Sequence, residues 1–374
     1  MGTISIKEVY QDSYNRYFKK SKYNNIVSIS RIKRVFGANT NCFIVKAVNE
    51  DGLSKNFFVK YPNLSTILQE IRGYKSLKDY ITIPEVLYYD DKILINSYIE
   101  GQLLSELVIK RDFKRNNIDI LKLEKNKENI LSNLYKNSPE KILTFDKYLK
   151  IKANKLFYKR LFGRRYENFY GSTSSVHSLI NKKIILNGHK FKKTIFEIFE
   201  DIKNEYKNAE KKEVTCILGH GDLHHGNIIC TKSLKTYFID LEYASFMPIY
   251  MELAKPYYND SFVFVLLYHF GLLERYFSLK KFEITDSAIK IEASVKKSFR
   301  RRLQLASIKM KARSNILEKY SDFIRFNSYL VMSHTLNRDP NTFPEIMIPF
   351  FLIFTCILDE FDYKNPESIL DYFK

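Results

Sequence analysis

A polar loop enclosed by two short apolar runs limits the possible folds of this chain more than any other feature. The runs and the loop occupy residues 214–242, with Asp222 and Asn227 in the loop and Asp240 at the end of the second run. Short apolar runs bounded by polar residues are typical of strands. Carboxylate and amide oxygens are hard ligands of the kind that Mg²⁺ takes alongside phosphate oxygens. The segment therefore predicts two strands around a loop that carries a magnesium site.

Three histidines in the same loop, His220, His224 and His225, raise the alternative of a zinc site. Zinc motifs pair histidines around a glutamate or combine them with closely spaced cysteines. Here two of the histidines are adjacent, and the chain has no HExxH or CxxC motif. Zinc is therefore not the expected metal, and the widely spaced cysteines fit a reducing compartment. The four cysteines are Cys42, Cys216, Cys230 and Cys356.

The rest of the chain indicates an α+β protein in which strands come first and helices later. Residues 26–60 contain three β-rich runs, and Asn63 can cap the helix that follows them. Residues 85–99 predict a further hairpin, after which the pattern is helical and basic up to about residue 213. Helical patterns resume after residue 242 and reach the C-terminus. We therefore expect a small mixed lobe followed by a larger helical one.

The polar loop and the run after it match a known pair of motifs. The spacing HxDxxxxN that begins at His220 is that of the catalytic loop in kinase-type phosphotransferases, and Asp240 stands where their metal-binding aspartate follows. The segments His220–Ile228 and Ile239–Glu242 resemble the HGDLHxGNI and IDxE motifs of the aminoglycoside phosphotransferase and choline kinase superfamily. Two motifs at the right distance are more specific than either motif alone.

The resemblance implies a bilobal protein-kinase-like fold. The N-terminal lobe, residues 1–98, would be a small antiparallel sheet with one helix that binds the nucleotide. The C-terminal lobe, residues 99–374, would be larger and mainly helical, with the catalytic and substrate-binding residues. The segment ending in Gly101, which resembles the family's YIEG sequence, would connect the lobes.

The resemblance also implies an ATP site in the N-terminal lobe. Kinase-like folds pair a lysine on the third strand with a glutamate on the following helix. The short polar turn before the second strand would donate hydrogen bonds to phosphate, and the connecting segment would bind adenine through its backbone. The implied ATP-binding residues are Lys60, Glu70, Thr40, Asn41, Ser97 and Ile99.

The loop residues themselves would carry the chemistry. Asp222 would orient the acceptor hydroxyl and take its proton late in the transfer, for which an ordinary low pKa suffices. Asn227 and Asp240 would hold Mg²⁺ against the phosphates of ATP. The implied cofactors are therefore ATP and Mg²⁺.

Four further residues have expected roles around the loop. His220 is expected to brace the loop by hydrogen bonds. Glu252 stands where relatives carry an aspartate in a DPxxDLA-like segment, and its longer side chain would make a structural hydrogen bond. His225 is a candidate either for bracing the loop or for the substrate side, and Glu242 is a second substrate-side candidate.

The excess of basic residues could reflect either composition or a binding function. Lys and Arg number 61 against 42 Asp and Glu, a net charge of +19, which disfavours a polycationic acceptor. Much of the excess is lysine in a chain also rich in Ile, Asn and Tyr, so a compositional origin is the simplest explanation. Two segments, 159–165 and 296–313, are either solvated surface or contacts to an anionic membrane or glycan. In 296–313 an apolar stripe leaves most basic residues on the other faces, and no nucleic-acid motif accompanies the charge.

The apolar runs are too short to cross a membrane. The longest, Ile346–Leu358, has about 13 residues and is interrupted by Pro349, whereas a span needs about 20. We therefore expect this run to be a buried helix. The N-terminus has no apolar stretch of the secretory kind, so a soluble, cytoplasmic protein is expected.

The expected function is transfer of the γ-phosphate of ATP to a hydroxyl of a small molecule. An amino alcohol, a sugar or an antibiotic-like compound would be the acceptor. One alternative is a kinase of a surface-glycan or lipid precursor at the membrane face. An alternative of another class is a catalytically inactive nucleotide-binding protein that acts as a basic scaffold.

Overall fold

The computed structural model describes residues 4–32, 41–113, 119–150, 161–263, 272–320, 323–334 and 347–374. The chain divides into two compact units. The first unit combines Met1–Leu104 with Gly226–Ala244, and the second combines Ser105–His225 with Ser245–Lys374. The segment that contains Asn227 and Asp240 therefore belongs to the same unit as the N-terminal strands.

The first unit is built on a five-stranded antiparallel sheet in the order β1-β2-β3-β5-β4, with a second small sheet in the order β12-β11-β6. Its strands are β1 (Asn25–Arg31), β2 (Cys42–Val48), β3 (Ser54–Lys60), β4 (Val86–Tyr89), β5 (Leu94–Ser97), β6 (Gln102–Leu103), β11 (Ile228–Cys230) and β12 (Thr236–Phe238). Its helices are α1 (Ile6–Arg16) and α2 (Leu64–Leu77). The predicted antiparallel N-terminal sheet with a helix after its third strand is confirmed.

Helix α2 forms where the sequence predicts it. The Asn63 side chain caps the helix by accepting a hydrogen bond from the Thr66 N–H at 2.9 Å. Ile67 and Ile71, four residues apart, share the buried face, as a helical period requires. Leu68, the residue after Ile67, is 52% exposed because it lies on the neighbouring side of the helix.

Helix α1 is an addition that our reading of the sequence missed. Its first turn is closed by a capping box in which Ser5 and Glu8 each bond the backbone of the other. Val9 of this helix is fully buried in the core of the first unit, together with Phe57 and Ile95 from the sheet. The Ser-x-x-Glu spacing at residues 5–8 was the available signal.

The second unit contains most of the helices. They are α3 (Leu104–Phe113), α4 (Ile120–Asn137), α5 (Phe145–Lys150), α6 (Arg164–Tyr170), α7 (Ile195–Ala209), α8 (Ile249–Tyr258), α9 (Leu273–Tyr276), α10 (Lys297–Lys319), α11 (Phe326–His334) and α12 (Met347–Glu360). A π-helical turn, Asn259–Val263, continues α8. The buried helix predicted near the C-terminus is confirmed as α12.

Strands also occur in this unit; the one that precedes the loop at residue 220 was predicted, whereas the others lie where we expected helices. They are β7 (Glu140–Thr144), β8 (Lys183–Leu186), β9 (His189–Lys190), β10 (Glu213–Gly219), β13 (Ser245–Pro248), β14 (Phe277–Ile284) and β15 (Ala288–Val295). In β15 the buried residues Ile289, Ile291 and Ala293 alternate with exposed ones, which is the two-residue period of a half-buried strand. The expectation of helices throughout residues 101–213 and again after residue 242 was therefore wrong.

The small sheet of the second unit leads the chain into the loop at residues 220–225. Strand β10 pairs with β7 on one side and with β13 on the other, both antiparallel. Because β13 runs directly into α8, this helix begins beside Cys216 of β10, which pairs with Pro248. Among the described residues, no helix is both long and apolar enough to cross a membrane.

Candidate active site

In the first unit, Lys60 lies between two carboxylates. Its Nζ is 2.7 Å from Glu70 Oε2 and 2.8 Å from Asp240 Oδ1, and only 6% of its side chain is exposed. Burial alone would lower the pKa of Lys60, but the charges of Glu70 and Asp240 outweigh it and hold that pKa above its usual value. The structure thus brings together three residues that the sequence places on β3, on α2 and after β12, with Lys60 as a cation.

Asp240 and Asn227 lie beside each other at the ends of the hairpin β11–β12. The Ile239 N–H donates to the Asn227 carbonyl at 3.0 Å, one step beyond the last ladder pair, Ile228 with Phe238. Asp240 has a φ of 66°, in the left-handed region that few residues other than glycine adopt. Backbone strain of this kind is often retained at functional sites. A carboxylate and an amide oxygen form a donor set that fits Mg²⁺.

Gly73 permits α2 to approach the segment after Asp240 closely. A Cβ at this position would lie 2.2 Å from the Leu241 carbonyl oxygen and 2.9 Å from the Leu241 Cβ. Gly73 is one turn beyond Glu70, so the same face of α2 holds the ion pair and meets this segment. The lack of a side chain at Gly73 therefore helps set the position of Glu70 relative to Asp240.

Replacing Gly73 with Ala is expected to destabilise the protein by about 1–3 kcal/mol, because the added methyl group meets backbone atoms that cannot rotate away. This loss outweighs the gain of about 1 kcal/mol in helix propensity. Urea unfolding of G73A would measure the change, with K75A, at an exposed position of the same helix, as the control. An unchanged unfolding free energy in G73A would contradict the close approach.

The residues expected around the nucleotide are placed as follows. The Ser97 N–H donates to the Glu85 carbonyl at 2.9 Å, so this N–H is used within the sheet. Ile99 follows the end of β5 and is half-buried. Asn41 is 3% exposed, and its Oδ1 accepts from the Ile4 N–H at 3.4 Å, so its contact with phosphate stays a prediction. Thr40 lies outside the described residues.

In the second unit, Glu252 anchors the start of the loop. Its carboxylate accepts hydrogen bonds from the N–H groups of His220 and Gly221, both at 2.9 Å, and from the Tyr135 hydroxyl at 3.2 Å. Gly219 leaves room for this carboxylate, because a Cβ there would lie 2.8 Å from Glu252 Cδ. Burial raises the pKa of Glu252, although the two N–H bonds counteract the shift. Glu252, which stands at the place of the aspartate in the DPxxDLA-like segment, thus contacts the loop directly.

Asp222 forms an ion pair that the sequence did not predict. Lys255 of α8 reaches its Oδ1, while the Nε2 atom of His224 lies 4.0 Å from its Oδ2. The side chain of Asp222 is 19% exposed and that of Lys255 is 11% exposed. The fully buried His220 lies two residues before Asp222 in the chain, and its Nδ1 accepts from the Asp222 N–H at 3.4 Å. The available signal for Lys255 was its position three residues after Glu252, on the same helical face.

His225 ends the part of the loop that belongs to the second unit, and it is completely buried. Its N–H donates to Asp260 Oδ1 at 2.7 Å, and its Nε2 is 2.8 Å from Glu124 Oε2. Burial lowers the pKa of His225 to about 4, so the ring is neutral near pH 7. Of the two roles that the sequence left open, this burial favours bracing of the loop over contact with a substrate. Glu242, the other substrate-side candidate, is half-buried in the turn Leu241–Tyr243 of the first unit.

Three basic residues of the segment 296–313 are buried, and all three lie on helix α10. Arg302, Lys309 and Arg313 are at most 1% exposed, so the expectation that most basic residues lie on solvent-facing sides of this segment was incomplete. They pair with buried acids, Arg302 with Asp112, Lys309 with Asp260 and Arg313 with Glu128. We refer to these residues, together with Glu124 and Lys127, as the buried charge network.

The exposed basic residues are fewer than the segments suggested. Within 296–313 the exposed ones are Lys296, Lys297, Arg300 and Lys311. Residues 159 and 160 of the other segment lie outside the described residues, and Arg164 is exposed. Contact of either segment with an anionic membrane or glycan stays a prediction for these exposed residues.

Comparison with known proteins gives similarity at the level of structure alone. No family model matches the sequence, and no curated protein does. Among solved structures, the choline kinase LicA from Streptococcus pneumoniae is 15% identical, with a TM-score of 0.43, over 87% of this chain and 96% of that one. An ethanolamine kinase from Plasmodium vivax is 14% identical, with a TM-score of 0.49, over 98% and 86%. A spectinomycin phosphotransferase in complex with ADP and spectinomycin is 13% identical, with a TM-score of 0.44, over 95% and 99%.

These three structures are of the kinds of protein that the motifs at His220–Ile228 and Ile239–Glu242 resemble. Because their identities to this chain are 15% or lower, the activity has to be argued from the residues of the candidate site themselves.

Proposed function

We propose that this protein is an ATP- and Mg²⁺-dependent phosphotransferase that transfers the γ-phosphate to a hydroxyl group of a small molecule. The observation that carries the proposal is the position of Lys60, held as a buried cation between Glu70 and Asp240 at 2.7 and 2.8 Å. A purely structural lysine does not require the strained backbone of Asp240 or the motif spacing that surrounds it.

The first unit would bind the nucleotide, as the predicted lobe of residues 1–98 would. Lys60 would bind phosphate oxygens, and Glu70 would hold the lysine in place. Ser97 would contribute its carbonyl to the adenine, since its N–H is used by Glu85, and Ile99 would contribute its N–H. Phosphoryl transfer proceeds through a loose transition state, so positioning and neutralisation of charge supply most of the catalysis.

Mg²⁺ would be held by Asn227 and Asp240. When bound, it would supply positive charge that offsets part of the negative charge of the phosphates. Two protein ligands are sufficient, because Mg²⁺ usually keeps several waters and takes its remaining oxygens from the phosphates. Asp240 would thus hold both the metal and Lys60.

Asp222 would act on the acceptor. Its carboxylate would accept a hydrogen bond from the acceptor hydroxyl, orient the oxygen for attack and take the proton as the new O–P bond forms. His220 and Glu252 would keep the loop in shape through the hydrogen bonds described above. Residues 99–374 would provide the acceptor site for an amino alcohol, a sugar or an antibiotic-like molecule.

A second candidate is a kinase of a surface-glycan or lipid precursor. The exposed cations at the start of α10, Lys296, Lys297 and Arg300, support it, because such precursors carry anionic groups or lie at anionic surfaces.

Replacing Lys60 with Met tests the proposed function. We expect the wild-type protein to bind Mg·ATP and K60M to bind it about 10- to 100-fold more weakly, because a hydrogen bond to a charged group contributes about 1.5–3 kcal/mol. Titration calorimetry would measure both affinities. K46M, which removes an exposed lysine from the neighbouring strand β2, should bind as the wild type does.

Two outcomes would overturn the proposal. No binding of Mg·ATP by the wild type at millimolar concentration would contradict the nucleotide site. Tight binding without phosphate transfer to any compound in a broad panel of hydroxyl acceptors would instead support the inactive scaffold.

A further inference from the structure

The ion pair between Lys255 and Asp222 has a consequence for the reaction. Lys255 is 9% exposed, and its Nζ contacts Oδ1 of the residue that would receive the acceptor proton. We propose that Lys255 is a positioning residue, which orients the Asp222 carboxylate and maintains its negative charge. This inference rests on the proposed function, because it assigns Lys255 a part in the same transfer.

The first part of the argument is geometric. A carboxylate on a single rotatable bond can turn its plane, and an acceptor hydroxyl meets a suitable oxygen in only some orientations. The ammonium group of Lys255 contacts Oδ1 and restricts this rotation. The second oxygen, Oδ2, then faces His224, whose Nε2 lies 4.0 Å away. In the proposed reaction the acceptor hydroxyl would donate to Oδ2.

The second part concerns the helix that presents Lys255. Glu252 and Lys255 are three residues apart on α8 and therefore share a face. Glu252 accepts hydrogen bonds from the N–H groups of His220 and Gly221. Lys255 contacts the carboxylate of the next residue, Asp222. Two side chains of one helix thus set both the backbone and the side chain of the loop, which a simple surface ion pair would not do.

The third part concerns charge. The charged and titratable groups described around Asp222 in the second unit include Lys255 and Glu252 of α8 and two histidines of the loop, His220 and His224. A cation in contact with a carboxylate favours its ionised form. Lys255 therefore keeps Asp222 ionised and able to accept a proton.

Replacement of Lys255 by Met and by Arg tests the inference, with K203M as the matched control. Lys203 is also a partly buried, ion-paired lysine of the second unit, 2.7 Å from Glu200 on α7. We expect K255M to lower kcat about 10- to 100-fold with the KM for Mg·ATP unchanged, because the orientation and ionisation of Asp222 are affected and the proposed nucleotide contacts are not. K255R should recover most of kcat, and K203M should keep all of it.

A second measurement does not depend on activity. In protein with ¹³C-labelled aspartate carboxyl groups, the Asp222 signal can be assigned by its loss in D222N and titrated in the wild type, K255M and K255R. We expect its midpoint to lie about 1–3 pH units higher in K255M, since removal of a cation raises the pKa of a carboxylate. An unchanged midpoint would mean that Lys255 does not act on the charge of the Asp222 carboxylate.

The outcomes separate the two proposals. A wild type that neither binds Mg·ATP nor transfers phosphate, with the Asp222 midpoint still raised in K255M, would overturn the proposed function and leave the ion pair as a local electrostatic contact. An active wild type with K255M within twofold of its kcat, or with an unshifted midpoint, would overturn the inference about Lys255 alone. Thermal unfolding of each variant would show whether it is folded. If K255M does not fold, the comparison is made between the wild type and K255R.

Discussion

Replacing Asp222 with Asn is expected to lower turnover about 10²- to 10⁴-fold, the usual contribution of a positioned proton acceptor. Asparagine keeps the shape of the side chain but cannot take the proton, and it loses the ion pair with Lys255. The affinity for Mg·ATP should stay near that of the wild type, because the proposed nucleotide contacts lie in residues 1–104 and 226–244. Initial rates of ADP formation with the true acceptor would measure the loss.

The control for this experiment is D286N, which makes the same chemical change at an exposed position between β14 and β15. It should keep full turnover. If D222N retained more than about a tenth of the wild-type kcat, Asp222 would not be the proton acceptor, since the smallest usual contribution of such a group is about 10²-fold.

Replacing Arg313 with Met is expected to cost about 3–5 kcal/mol of unfolding free energy, a large part of the 5–15 kcal/mol that a typical domain has. The guanidinium makes two parallel bonds to Glu128, at 2.8 and 2.9 Å, and a third to the Leu253 carbonyl at 3.2 Å. All of these groups are buried, so the variant leaves Glu128 with less compensating charge in a site that water does not reach. Urea unfolding followed by circular dichroism would measure the loss.

Lys311 supplies the control, because it lies on the same helix and is exposed. K311M should change stability by no more than about 0.5 kcal/mol. The double variant E128Q/R313M should be more stable than R313M, because it removes the uncompensated carboxylate as well. Equal losses in K311M and R313M would contradict a structural role for the buried charge network.

The contrast between these lysines and arginines shows why net charge was a weak guide to function. Of the eight basic residues in 296–313, Arg302, Lys309 and Arg313 neutralise buried acids. Their periodicity, at i, i+7 and i+11, is that of a buried helical face, and it was readable in the sequence once acids were considered as possible neighbours. Which acids pair with these residues could not be predicted from the sequence, because Glu128, for example, lies 185 residues from Arg313 in the chain.

Local patterns were enough to predict the first unit apart from helix α1. The alternation in β2 and β3, the Asn63 cap and the helical period of α2 each depend on residues a few positions apart, and such signals persist in an isolated segment. The spacing of Asp222, Asn227 and Asp240 is likewise local. The hairpin β14–β15 was missed although Ile289, Ile291 and Ala293 alternate clearly, because we extended a helical interpretation across it.

The sequence by itself determined which residues carry the candidate chemistry, because the motif around Asp222, the lysine at the end of β3 and the glutamate on α2 are each recognisable from short spacings. Only the tertiary structure decided what contacts them. Lys255 meets Asp222 from a helix that follows the loop by some thirty residues, and Glu252 and His225 are buried by elements distant in the chain. The partner of a buried charge depends on packing between such elements, and packing has no local signature in a single sequence.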